Sequence, residues 1–201
     1  MKTIIISIPL DFENEISTLI RLIEAGAEYF HLRKPNSSVD DIRRYIDLIP
    51  KEYHSKIILH QHYDLIDIYE IKGIHFSSRT TDQIDKYSDR DIHKSCSTHN
   101  FEEIENLRNE FDYIFLSPIF DSISKQGYSS KFSEFELGEY LKTSDKDIVA
   151  LGGIDSQTAS KCAEIGFSGV ASLGYIWNPA INGDSDKSIE NFNELKGVCE
   201  L

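Results

Sequence analysis

Arg33 stands two residues beyond His31 in the run His31-Leu32-Arg33-Lys34-Pro35, so in an extended segment their side chains share one face. A guanidinium suits bidentate contact with phosphate oxygens, and an imidazole beside it can move a proton. Lys125, with the hydroxyls of Ser122 and Ser124, offers a cation and two donors on one loop, a set that could clamp a phosphate or diphosphate. Gly152-Gly153 and Gly174 lack a Cβ, so backbone N–H groups there can approach an anion closely. His31, His60, His75 and His99 would suit zinc if three of them converged. Spread over four segments, they read instead as hydrogen-bonded residues or acid/base groups, and no metal ligand is assigned. Each set has a bland counterpart: an arginine paired with a carboxylate, a solvated polar loop, glycines in tight turns. Only the elements that carry the residues can separate the two.

Those elements alternate with a regular beat. Apolar runs at 3–8, 28–33, 56–60, 73–76, 92–97, 113–116, 147–151 and 169–173 read as buried strands. Helical spacing marks 12–25, where Ile16, Leu19, Ile20 and Ile23 recur, and 39–49, capped by Ser37 or Ser38. Further helices are expected over 63–71, 101–111, 132–141, 156–165 and 189–198, with a short extra one starting near Tyr175. The polar stretch 182–187 reads as a surface loop. Strands alternating with helices predict a parallel sheet. Eight such units in 201 residues predict closure into a single (β/α)8 barrel domain spanning 1–201.

In that architecture ligands meet the C-terminal ends of the strands, and the loops after strands seven and eight form a phosphate site with the N-terminus of a short extra helix. The residues singled out above fall at those ends. His31 and Arg33 end strand two, His60-Gln61-His62 strand three, His75 strand four and Ser97-Thr98-His99 strand five. Ser117 through Lys125 follow strand six, Gly152-Gly153 strand seven and Leu173-Gly174 strand eight.

The chain carries 34 acidic and 21 basic residues, a net charge of −13. That balance argues against binding nucleic acid or an anionic membrane surface, while leaving room for a small phosphorylated ligand held by a few local donors. Three cysteines without a CxxC pair suit reduced thiols in a cytoplasm. No segment has the length of a membrane span or a signal sequence. A homodimer is the default assembly.

Taken in order, these motifs resemble those of the thiamine phosphate synthase and thiazole tautomerase superfamily, and most of all the synthase branch. The matching stretches are His31-Leu32-Arg33, Gly73-Ile74-His75-Phe76, Ser97-Thr98-His99, Ser117 through Lys125, Gly152-Gly153-Ile154 and Gly169-Val170-Ala171. The resemblance implies a transferase of thiamine biosynthesis that joins hydroxymethylpyrimidine diphosphate to thiazole phosphate and releases pyrophosphate. It implies that Arg33, Lys125 and Ser97 act on the diphosphate or pyrimidine with Ser122 and Ser124. It further implies that Gly152, Gly153, Leu173 and Gly174 hold the thiazole phosphate, with His31, Lys34, His60 and Gln61 also lining the site. The family uses Mg2+, but its lysine falls on Pro35, beside Lys34, its Asn-Asp pair on His60-Gln61, and its strand-four aspartate near Thr80. The usual magnesium carboxylates are therefore absent. Two alternatives follow: a thiazole tautomerase-like isomerase using a histidine, or a non-catalytic binder of thiazole phosphate or thiamine phosphate. The tautomerase branch has a histidine at or next to the position that Pro118 fills here, and in this the chain resembles the synthase.

Overall fold

The computed structural model describes residues 1–77, 80–108, 110–120 and 132–201. Eight parallel strands close into one barrel in sequence order. They are β1 Lys2–Ile6, β2 Phe30–Leu32, β3 Ile57–Leu59, β4 Gly73–Phe76, β5 His93–Thr98, β6 Tyr113–Leu116, β7 Ile148–Leu151 and β8 Gly169–Ser172. Closure is made where β1 pairs with β8, Ile4 opposite Ala171. The helices among the described residues are α1 Glu15–Glu24, α2 Val39–Asp47, α3 Phe101–Glu105, α4 Glu134–Thr143, α5 Ser156–Ile165, α6 Gly174–Ile181 and α7 Ser185–Cys199.

The two-residue period of each strand sorts its side chains into two cores. Outward residues such as Phe30, Leu32, Leu59, Ile74, Phe76 and Leu116 are buried under the helices with Leu19, Leu22, Ile46 and Leu195. Inward residues Ile4, Ile6, Ile58, Tyr113, Phe115, Val149 and Ala171 fill the barrel. Gly73 marks a tight point of closure, because a Cβ there would lie 1.9 Å from the carbonyl oxygen of His93. Trp177 on α6 packs edge-on against Phe12 and Phe30. Its indole N–H donates to the Ile6 carbonyl at 2.9 Å, which ties α6 to the barrel wall.

Several expected helices are shorter or tighter. The segment after β3 is a 3-10 turn over Tyr63–Asp67, and a second, Thr81–Tyr87, fills the connection after β4, for which no helix was expected. α3 ends at Glu105, short of 111. The segments after β3 and β4 carry several Asp, Ser and Thr, and α3 is followed by Asn106; Ser, Asp and Asn side chains compete with the helical backbone. In the other direction, the polar stretch 182–187 is not all loop. Asp184 accepts from the Lys187 N–H at 2.9 Å and caps α7, which starts at Ser185. Of the two caps offered for α2, Ser38 is used, in a reciprocal capping box with Asp41.

Candidate active site

Because all strands run in one direction, their C-terminal ends form a single rim, and the inward positions there set the site. In β2, His31 points inward between the outward Phe30 and Leu32, so the next inward position is Arg33. Its backbone is anchored to Ser7, whose Oγ accepts from the Arg33 N–H at 2.8 Å. Among the described residues the Arg33 guanidinium has no ion-pair partner, and its positive charge acts on His60 and His75. It therefore stands over the mouth, not in a surface ion pair.

Below it, His31, His60 and His75 form one cluster. His31 Nδ1 and His60 Nε2 share a hydrogen bond of 2.8 Å, and His31 Nε2 bonds to the Tyr113 hydroxyl. His75 is held between Ser95 Oγ at 2.8 Å and Ser97 Oγ at 2.7 Å. The His60 ring stacks on His75 with centroids 4.2 Å apart, and Phe115 covers both His31 and His75. One ring nitrogen from each histidine lies within 4.8 Å of the others. Burial, reinforced by the neighbouring imidazoles, pushes His31 and His75 well below the usual histidine range; burial, His31 and Arg33 do the same for His60. All three are neutral at pH 7. Tyr113, Ser95 and Phe115 were missed from sequence. Their signal was parity: each is an even number of residues from another inward residue on its own strand.

Elsewhere the rim is backbone. Gly152 and Gly153 have φ of 99° and 66°, a region that L side chains rarely adopt. A Cβ on Gly152 would also lie 3.1 Å from Pro118, whose loop is stitched to β7 by Ile119 N–H donating to Leu151 O at 3.0 Å. Thr158 of α5 donates its hydroxyl to the Gly153 carbonyl at 2.9 Å, which fixes the turn. Leu173 precedes Gly174, the first residue of α6. The strands that carry these glycines and Arg33 are consecutive around the barrel, β7-β8-β1-β2.

The structure separates other predicted residues from this rim. Lys34 is 1% exposed, and its ammonium is turned outward, 2.8 Å from Glu15 and 2.9 Å from Asp11. It also donates to the Leu10 carbonyl. Strand parity explains this, since the residue after an inward Arg33 must face out. The cavity Lys34 borders, about 260 Å³ in volume, lies beside α2 and is lined by Glu15, Tyr45 and Asp41. His99 is exposed and bonds to the Ser117 carbonyl at 3.0 Å, apart from the other three histidines. Ser122, Ser124 and Lys125 lie outside the described residues.

The two positions to which the resemblance assigns magnesium ligands carry neutral side chains. The Gln61 amide N–H donates to the Lys34 carbonyl. The Thr80 hydroxyl accepts from the Ser77 N–H at 2.9 Å. Neither is a carboxylate, and Mg2+ favours carboxylate with phosphate oxygens. Nearby described carboxylates are engaged elsewhere, Asp64 with Lys86 and Tyr87 and Glu103 with the His99 N–H.

Comparison with known proteins gives a consistent picture. A family model described as thiamine monophosphate synthase matches residues 3–176. Thiamine-phosphate synthase from Latilactobacillus sakei is 26% identical over 175 residues, covering 82% of this chain and 78% of that one. The crystal structure of thiamine phosphate pyrophosphorylase from Bacteroides thetaiotaomicron superposes with a TM-score of 0.86 at 32% identity, covering 100% of this chain and 98% of that one. A Pyrococcus furiosus thiamine phosphate pyrophosphorylase, 15% identical with a TM-score of 0.79 over 99% of this chain and 95% of that one, shares the fold.

Proposed function

The chain belongs to the thiamine monophosphate synthase family, and from that premise we propose that it is the transferase that joins hydroxymethylpyrimidine diphosphate to thiazole phosphate with release of pyrophosphate. The observation that carries this reading is Arg33, which has no ion-pair partner among the described residues, at the end of β2 on the same rim as the Gly152-Gly153 turn and the start of α6. An arginine without a carboxylate partner is a standing charge for an incoming anion. The glycine turn and the helix N-terminus form a second anion cradle of backbone N–H groups. Two anionic groups held at separate places on one rim is what a condensation of two phosphorylated substrates needs. Holding both in a shared mouth makes their encounter effectively intramolecular.

Within this reading each residue has one task. Arg33 holds the diphosphate and stabilises the negative charge that builds on the departing pyrophosphate. Ser97, at the mouth beside His75, orients the pyrimidine, with His31 and His60 lining the floor and Gln61 the rim. Gly152, Gly153, Leu173 and Gly174 hold the thiazole phosphate. Lys125, Ser122 and Ser124 are the diphosphate contacts that the resemblance assigns. The family is magnesium-dependent; no step is assigned to the ion here, because the two positions that the resemblance assigns to its ligands carry neutral side chains.

Purified protein given both substrates and Mg2+ should form thiamine phosphate and pyrophosphate in equal amounts. Arg33→Ala should lower kcat/KM by about 10²-fold or more, the scale of losing one charge-stabilising donor, while remaining folded. A folded wild-type chain that forms no product would sink the proposal. Gln61 and Thr80 in place of carboxylates favour a second reading, a non-catalytic binder. That reading predicts tight binding of thiamine phosphate or thiazole phosphate with no turnover.

A further inference from the structure

We propose that His31, His60 and His75 form a binding site for one divalent transition-metal ion of the zinc class, inside the barrel just beneath its mouth. The inference does not depend on the enzymatic reading above. Its basis is convergence: three imidazoles, on β2, just past the end of β3 and on β4, bring one ring nitrogen each within 4.8 Å of the others. Four-coordinate zinc with bonds of about 2.0–2.1 Å to nitrogen needs ligand atoms about 3.3 Å apart. The His31 Nδ1 to His60 Nε2 separation of 2.8 Å is closer than that, and the set as a whole spans up to 4.8 Å, so the pair must open and the rings must converge on the ion.

The groups behind two of the rings match what a metal-bound imidazole requires. Such a ring gives its other N–H to an oxygen, which fixes the tautomer and the ring plane. His31 Nε2 meets the Tyr113 hydroxyl, and His75 Nδ1 meets Ser95 Oγ at 2.8 Å. That leaves His31 Nδ1 turned to His60, and His75 Nε2 turned to Ser97 Oγ at 2.7 Å. His60 is the half-buried member and supplies the freedom the site needs. Its ring lies 24° from that of His75 in a stack, and it must turn out of the stack for both lone pairs to reach one ion. The fourth position then faces the mouth, open to water or to an oxygen of a bound ligand.

The donor set also selects the ion. Imidazole nitrogen suits zinc, copper, iron and nickel, whereas magnesium and calcium call for oxygen ligands. Barrel interiors are filled mainly by branched apolar side chains, as Ile58, Val149 and Ala171 do here. Three polar rings placed together in that layer carry a desolvation cost that Ile or Val would avoid. A bound ion gives their presence a use that packing does not.

The test uses the full chain stripped with a chelator, titrated with Zn2+ by calorimetry and with Co2+ by visible absorption. The expected result is one ion per chain and the intense cobalt spectrum of a four- or five-coordinate site. Zn2+ should raise the Tm of the wild type. His60→Gln and His75→Gln should each weaken binding tenfold or more. Tyr113→Phe, which removes only the oxygen behind His31, should weaken it by about 10–100-fold. His99→Gln, away from the cluster, should bind as the wild type does. Circular dichroism guards against counting an unfolded variant, and His60→Gln, at the half-exposed position, decides the matter if His75→Gln does not fold. No bound ion at millimolar Zn2+ would overturn the proposal. So would stoichiometric binding with the same affinity and cobalt spectrum in folded His60→Gln.

Discussion

Adjacent residues in β2 and its exit have opposite fates. Arg33 and Lys34 are both cations next to the same strand end, and composition treats them alike. Pleating sends the guanidinium to the mouth and the ammonium into the wall between α1 and α2. There Lys34 is almost wholly enclosed with Glu15, which is 3% exposed, while Tyr45 donates to the other Glu15 oxygen at 2.8 Å. Burial pushes the Glu15 carboxyl up, against the pull of Lys34 and Tyr45. Removing one partner of such a pair strands the other charge. Lys34→Met should therefore lower stability by about 3 kcal/mol or more, read as a shift in the urea midpoint at neutral pH. A midpoint that does not move would mean that Glu15 is satisfied without Lys34.

The loop that follows β7 shows how an element makes a site from residues without functional side chains. Gly152 combines a φ of 99° with a Cβ position 3.1 Å from Pro118. A branched residue must both adopt strained backbone and push the Pro118 loop away. Gly152→Val is expected to raise the KM for thiazole phosphate at least tenfold and to lower Tm by several degrees. Arg33→Ala should leave Tm near that of the wild type. If Gly152→Val kept a wild-type KM, the thiazole phosphate would have to be held elsewhere. The short exits from β3 and β4 make the complementary point. Their 3-10 turns keep Tyr63 packed under β4, where its hydroxyl donates to the His75 carbonyl at 2.7 Å, so turns that replace helices still support the strand end bearing the cluster.

At the scale of the whole molecule, the barrel encloses a group of imidazoles whose charged form burial disfavours. Burial leads the downward shift of His31, His60 and His75, and it takes His93 to about 4. A histidine whose pKa is lowered on folding disfavours the proton in the native state. The unfolded chain, titrating near 6.5, then binds protons first as the pH falls. Stability should be full above about pH 7 and decline below about 6.5, with each such histidine adding up to about 1.4 kcal/mol per pH unit. Urea midpoints measured with chelator at about pH 7.5 and 5.5 test the sign, because ordinary carboxylates titrate mostly below that window. Equal midpoints would mean that the imidazoles are solvated and the enclosed cluster is wrong.

The alternation of apolar runs with amphipathic segments was enough to determine an eight-unit barrel, because periods of 2 and 3.6 residues are local properties that survive any packing. It was also enough to put Arg33, His60, Gly152 and Gly174 at strand ends, since that follows from order along the chain. Parity about a strand, and so the inward turn of Arg33 against the outward turn of Lys34, became definite only when strand register was set by pairing. The joining of His31, His60 and His75 with Tyr113, Ser95 and Ser97 was decided by tertiary structure alone. Those residues are up to 82 positions apart, as His31 and Tyr113 are, and only closure of the sheet brings such distant inward faces to one point.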